Sequence, residues 1–212
     1  MADITAHSSN QDHGAGHAPA KSPVYSSLGV DSRKLGVWAF IGSETLFFTA
    51  LITTYLIYAP VNRSRPDFQD PKEFLGIELT TLLASLLLAS SLTMVLALAA
   101  SRRGEIKSFR NWLLATVVLG LAFLGGQVYE FNHLYHEGLT LSSSLFGTTF
   151  YVLTGFHGTH VAIGVIWLIA TLVKVLKTPG SPENAMDVEI AGLYWHFVDF
   201  VWVAIFVLIY LI

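Results

Sequence analysis

The chain has 212 residues, of which 53% are hydrophobic and 13% charged, with a formal net charge of −3 and a mean hydropathy of +0.56. Soluble domains carry about 25% charged residues, so the deficit fits lipid better than water. The charge balance offers no basic footprint for nucleic acid. The absence of cysteine excludes disulfides, thiolate zinc sites, iron–sulfur ligation and blue copper.

Residues 1 to about 33 form a polar segment with His7, His13 and His17, two early glycines (Gly14, Gly16) and Pro19 and Pro23. It lacks the apolar core of a secretory signal and is expected to be a disordered, solvated tail; its histidines give at most weak metal binding. Five apolar stretches follow in the 34–212 domain, at about 35–58, 74–100, 112–135, 146–173 and 189–212. Each exceeds the roughly 20 residues that cross about 30 Å of hydrocarbon. Backbone polar groups in lipid must be satisfied within the segment, so each is expected to be a helix. The expectation is an all-α polytopic membrane protein, a bundle of five transmembrane helices.

Basic residues orient it. Nine Lys and Arg fall on the side of the tail (Lys21, Arg33, Lys34, Arg102, Arg103, Lys107, Arg110, Lys174, Lys177), against three on the other (Arg63, Arg65, Lys72). The positive-inside rule makes the tail side, and hence the N-terminus, cytoplasmic. Pro60, Pro66 and Pro71 are expected to break the first connection and Pro179 and Pro182 the last. Trp38, Tyr58, Trp112, Tyr135, Trp167 and Tyr210 read as an aromatic belt at the helix ends. The small pairs Ser85/Ala89 and Ala122/Gly126, with Gly155, Gly158 and Gly164, read as points of close helix contact.

Ionisable groups within spanning helices are costly and commonly functional. Glu44 lies mid-helix one, His157 and His160 mid-helix four, and His196 and Asp199 mid-helix five. Glu78 lies near the outer end of helix two, and Glu130 and His133 near that of helix three. His157/His160, His196/Asp199 and Glu130/His133 are i, i+3 pairs, each sharing a helix face. Alternating helix directions bring Glu44, the helix-four histidines and His196/Asp199 to similar depth, where they could meet. Three readings compete. Glu130-x-x-His133 has di-iron spacing, but a second Glu-x-x-His and two more inward carboxylates are missing, so no metal site is expected. A proton-related role suits Glu44 best. A structural polar network that fixes helix register suits His157, His160, His196, Asp199 and Glu130.

Five segments carry a resemblance: FIGSETLFF (40–48), LLASSLTM (87–94), QVYEF (127–131), TGFHGTHVAIG (154–164) and YWHFVDFVWVAIFVLIY (194–210). In this order and spacing they resemble subunit III of the haem–copper terminal oxidases, above all the cytochrome c oxidases, over nearly everything after the tail. The resemblance implies an accessory, non-redox subunit of a proton-pumping complex in a prokaryotic inner membrane. It implies no cofactor on this chain, haem and copper in partner subunits, bound phospholipid, and support of proton uptake. It implies contact with subunit I and a complex that includes subunit II and a small subunit IV, and it makes Glu44 the buried carboxylate near the protonic chemistry. The chain is similar to the five-helix form, lacking two N-terminal helices of longer members. Quinol oxidase relatives share that form and tend to carry another acid where this chain has Gly42-Ser43-Glu44, which favours cytochrome c as donor. A free-standing proton-coupled transporter and a membrane di-metal enzyme are the rivals; neither repeats and broken helices nor a full ligand set is visible.

Overall fold

The computed structural model describes residues 31–64, 76–179 and 182–211. Residues 1–30 of the expected disordered tail, with its three histidines, and Pro66 and Pro71 lie outside the described residues, whereas Ser32 and Arg33, expected in the tail, already belong to the first helix. Five helices follow one another: α1 (Ser32–Arg63), α2 (Ile77–Arg102), α3 (Ile106–His136), α4 (Leu145–Lys177) and α5 (Pro182–Phe206), the last continuing into a π-helical turn, Val207–Leu211. All five are long and apolar enough to cross a membrane. At 1.5 Å per residue even the 26 residues of α2 reach about 39 Å, so the ends protrude beyond the hydrocarbon or the helices tilt.

The helices overrun the apolar stretches, because helical hydrogen bonding continues into the polar boundary. α3 begins at Ile106 rather than near Trp112. Lys107 and Arg110 therefore sit on its first turns, and the connection from α2 shrinks to a tight turn at Gly104, whose φ of 73° favours glycine. α5 begins seven residues before the expected Glu189. Pro60 does not end α1: it lies inside the helix, which continues to Arg63. Proline there removes the donor to the Leu56 carbonyl and crowds it with the ring, yet Ser64 still donates to the Pro60 carbonyl at 3.2 Å.

α2, α3, α4 and α5 form a closed ring, α2 packing on α3, α3 on α4, α4 on α5 and α5 back on α2. α1 stands outside the ring, seated on α4 and α5. Its contact seam runs through Val37, Ile41, Glu44, Phe48, Leu51 and Tyr55, a spacing of three and four residues that keeps one stripe of a helix facing its partners. The ring interior holds Phe123, Phe150, Trp195 and Trp202, each less than 2% exposed.

Glycines set these distances. A Cβ on Gly120 would sit 2.8 Å from the Trp195 ring, and one on Gly164 2.9 Å from the same ring. Gly158 makes room for Gln127 (2.6 Å), whose amide donates to the Thr154 carbonyl at 2.9 Å. Gly126 lies against Leu83. By contrast Gly155 has nothing within 4 Å, and Ser85, Ala89 and Ala122 are exposed; these four are not close contacts among the described residues.

Ser144 caps α4, accepting the Gly147 N–H at 3.0 Å. Ser144→Ala is expected to cost about 1 kcal/mol, read as a lowered unfolding midpoint in detergent, with Ser144→Asp restoring it. Trp38, Tyr58, Trp112 and Tyr135 are exposed near helix ends, where a membrane interface places aromatic rings. Trp167 is only partly exposed and packs on Tyr194 at 5.6 Å. Tyr210 departs from the expectation: it is 2% exposed. The π-helical turn, with five-residue spacing, brings it onto the inward face of Ile205.

Candidate functional site

The intramembrane polar residues fall into separate clusters. At the α1–α4 seam, Glu44 Oε2 lies 3.1 Å from His160 Nε2. The other ring nitrogen, Nδ1, lies 2.7 Å from the Phe156 carbonyl. A carbonyl only accepts, so Nδ1 carries a proton. In a neutral ring Nε2 is then an acceptor, and its contact with Glu44 requires one further proton between the two groups. Phe48 packs edge-on against the His160 ring at 4.9 Å, and both polar side chains are largely shielded, at 20% and 13% exposed. Tyr194 Oη donates to the His160 carbonyl at 3.0 Å.

His157 shares α4 with His160 but faces the ring interior. It stacks on Trp202 at 4.9 Å and meets Phe123 edge-on at 6.0 Å. Neither of its nitrogens has a hydrogen-bond partner among the described residues. At the α2–α5 contact, Ser91 Oγ lies 2.6 Å from His196 Nδ1, while Trp195 Nε1 donates to Ser90 Oγ at 2.9 Å. Asp199, one turn on, is 4% exposed, and the Ser91 hydroxyl interacts with its carboxyl as well.

Glu130 and His133 diverge despite their spacing. Glu130 is buried and accepts from Thr80 Oγ1 at 2.8 Å and Tyr210 Oη at 3.1 Å. His133 is exposed and stacks on Tyr129. Of the residues expected to meet, only Glu44 and His160 do so; His157 and His196/Asp199 belong to two other clusters, and Glu130, expected near the outer end of its helix, sits in a third. No group of three or more His, Cys, Asp or Glu among the described residues has metal-holding geometry. Ser90, Ser91, Thr80, Gln127 and Tyr210 escaped sequence reasoning; the only available signal was polar residues at the depth of ionisable ones.

A further cluster lies at the end of the bundle marked by Arg33, Lys34, Arg102 and Lys174. Glu189 on α5 receives Lys34 of α1 at 2.7 Å and Arg102 of α2 at 3.7 Å. Asp187 receives Lys174 of α4, and Arg33 of α1 at 3.6 Å. Asp31, just before α1, accepts the Arg33 N–H at 2.8 Å. Hydrogen bonds from the Arg33 side chain and backbone hold its carboxyl below the usual range. Arg103 does the same for Glu105 in the α2–α3 turn. Beside this cluster a cavity of about 590 Å³ lies between α1, α4 and α5, lined by Gly36, Val37, Trp167, Ala170 and Ile190, with Arg33, Lys174 and Asp187 also on its wall.

Residues 25–212 match the model of a family described as cytochrome c oxidase subunit III. The chain is 40% identical over 192 residues to cytochrome c oxidase subunit 3 of Alkalihalophilus pseudofirmus, covering 89% of this chain and 91% of that one. It is 38% identical over 200 residues to quinol oxidase subunit 3 of Bacillus subtilis, covering 94% and 95%, and 37% identical over 193 residues to cytochrome c oxidase subunit 3 of Bacillus sp. strain PS3, covering 91% and 92%. With five helices able to span a membrane and a match that runs from before α1 to the last residue, this multi-pass chain belongs to the cytochrome c oxidase subunit III family of the haem–copper oxidases.

Proposed function

We propose that this chain is the accessory, non-redox subunit of a proton-translocating cytochrome c oxidase in a prokaryotic plasma membrane, with its N-terminus cytoplasmic. It packs against the catalytic subunit I in a complex that also holds subunit II and a small subunit IV. The haem and copper reside in those partners. The observation that carries this reading is the family match across all five helices, with Glu44 held by His160 at the α1–α4 seam. The excess of Lys and Arg at the end marked by Arg33, Arg102 and Lys174 supports the orientation. The cavity beside Trp167 supports phospholipid binding: its lining is apolar, its charged groups are at the helix ends, and its volume suits an acyl chain.

In this reading Glu44 and His160 share a proton near the uptake path of the partner subunit. Glu44→Gln keeps a hydrogen-bonding side chain of the same size, so stability should change by less than about 1 kcal/mol. Assembly and haem content are therefore expected to stay normal, while proton uptake slows or activity decays faster over sustained turnover. Unchanged activity through prolonged turnover would remove Glu44 from the account. A second reading, the equivalent subunit of a quinol oxidase, is favoured by the 38% identity to quinol oxidase subunit 3. Assay of the purified complex with reduced cytochrome c and with a quinol separates the two.

A further inference from the structure

Thr81, Ser85, Ser90 and Thr93 on α2 each donate the hydroxyl proton to a carbonyl three or four residues back, the usual fate of a hydroxyl within a helix. Ser91, mid-way along α2, makes no such bond among the described residues. Its Oγ lies 2.6 Å from His196 Nδ1 and also interacts with the Asp199 carboxyl. The adjacent Ser90 hydroxyl is already taken, by the Leu87 carbonyl and Trp195 Nε1. One hydroxyl, with one proton, thus stands between an imidazole and a carboxyl on successive turns of α5. The ring keeps partial exposure, whereas Asp199 is 4% exposed. The helices around α5 add no other acid or base to this cluster. α2 has none between Glu78 and Arg102. Glu44 of α1 is bound to His160 of α4, His157 of α4 sits against Trp202 and Phe123, and Glu130 of α3 is held by Thr80 and Tyr210.

A serine hydroxyl donates once and can accept as well, so the two contacts can be satisfied in two ways. In the first, Ser91 donates to the Asp199 carboxylate and accepts from His196 Nδ1–H. In the second, the carboxyl carries a proton and donates to Ser91, which donates to a bare Nδ1. We propose that His196, Ser91 and Asp199 form a one-proton storage site at the α2–α5 contact, in which the Ser91 hydroxyl hands the proton between ring and carboxyl. A proton bound at His196 Nε2 releases the Nδ1 proton to Oγ, and the hydroxyl proton passes to a carboxylate oxygen. The ring ends neutral in the other tautomer, and the site goes from one negative charge to none. No oxidant or reductant is needed. This site is separate from the Glu44–His160 pair, and it goes beyond the oxidase-subunit reading without depending on it.

Infrared difference spectra of the purified complex between low and high pH, with isotope-labelled histidine, test this. On acidification the unsubstituted chain is expected to gain the carbonyl stretch of a protonated acid at the same midpoint at which the His196 ring bands change from one neutral tautomer to the other. Asp199→Asn is expected to remove the acid band, and His196→Gln the ring bands, which assigns both. Ser91→Ala breaks the relay: the two changes are expected to separate by about one pH unit or more, with the ring turning to imidazolium instead of switching tautomer. Ser91→Thr keeps a hydroxyl and is expected to restore the common midpoint. Bands in Ser91→Ala identical to those of the unsubstituted chain would reduce the serine to a structural contact and overturn the proposal. An acid band that survives Asp199→Asn, or no proton uptake by the unsubstituted chain wherever the complex stays assembled, would overturn it too. A purified complex without haem would sink the oxidase reading and leave the infrared outcome to stand by itself.

Discussion

Gly120→Val and Gly164→Val are each expected to destabilise the bundle by about 2 kcal/mol, because no free volume exists at either position. The Trp195 indole is fully buried inside the four-helix ring and is gripped from two sides. A Cβ at residue 120 would lie 2.8 Å from Trp195 Cη2 and 2.9 Å from a Val165 methyl; one at residue 164 would lie 2.9 Å from Trp195 Cε3. The ring cannot slide away freely, since its Nε1 is tied to Ser90 on α2. Because both substitutions squeeze one ring, their effects are expected to be non-additive, and Trp195→Leu should partly rescue Gly120→Val. Gly125→Ala, with nothing within 4 Å, should be neutral. Thermal unfolding in detergent reads all four; an unchanged midpoint for Gly120→Val would refute the described packing.

The second large effect concerns the opposite end. Tyr210→Ala is expected to cost about 3 kcal/mol, removing a buried ring packed against Phe206 and Phe150 together with its hydrogen bond to Glu130. Tyr210→Phe keeps the ring and should cost about 1 kcal/mol. If Glu130 is the reason, the Tyr210→Phe penalty should vanish in a Glu130→Leu background, a double-mutant cycle that isolates the pair. Additive penalties would show that Tyr210 acts through packing alone.

The spans were legible from residue types, since lipid forces each apolar stretch into a helix regardless of its neighbours. Their ends were not, because the polar boundary tolerates further helical turns; hence the early starts at Ile106 and Pro182 and the continuation past Pro60. The depth of Glu44 and His160 followed from counting residues along alternating helices, and they do meet. Counting along one helix says nothing about which neighbour occupies each side. That is why His157, three residues from His160, faces an aromatic cage, and why Glu130 turns inward while His133 turns out. Ser91 and Tyr210 were hidden for different reasons. A serine in an apolar run gives no sign of its partner, and a π-helical turn shifts the register that would have placed Tyr210 at the interface.

As proposed, haem and copper reside in the partner subunits and this chain holds no redox centre of its own. The most direct measurement is affinity purification of this chain from its native membrane in mild detergent, followed by an optical spectrum and metal analysis before and after the chain is stripped away. Haem and copper are expected to co-purify with a larger membrane subunit and to remain with that subunit once this chain is removed. A colourless, metal-free chain that purifies alone would contradict it, as would metal that follows this chain rather than its partner.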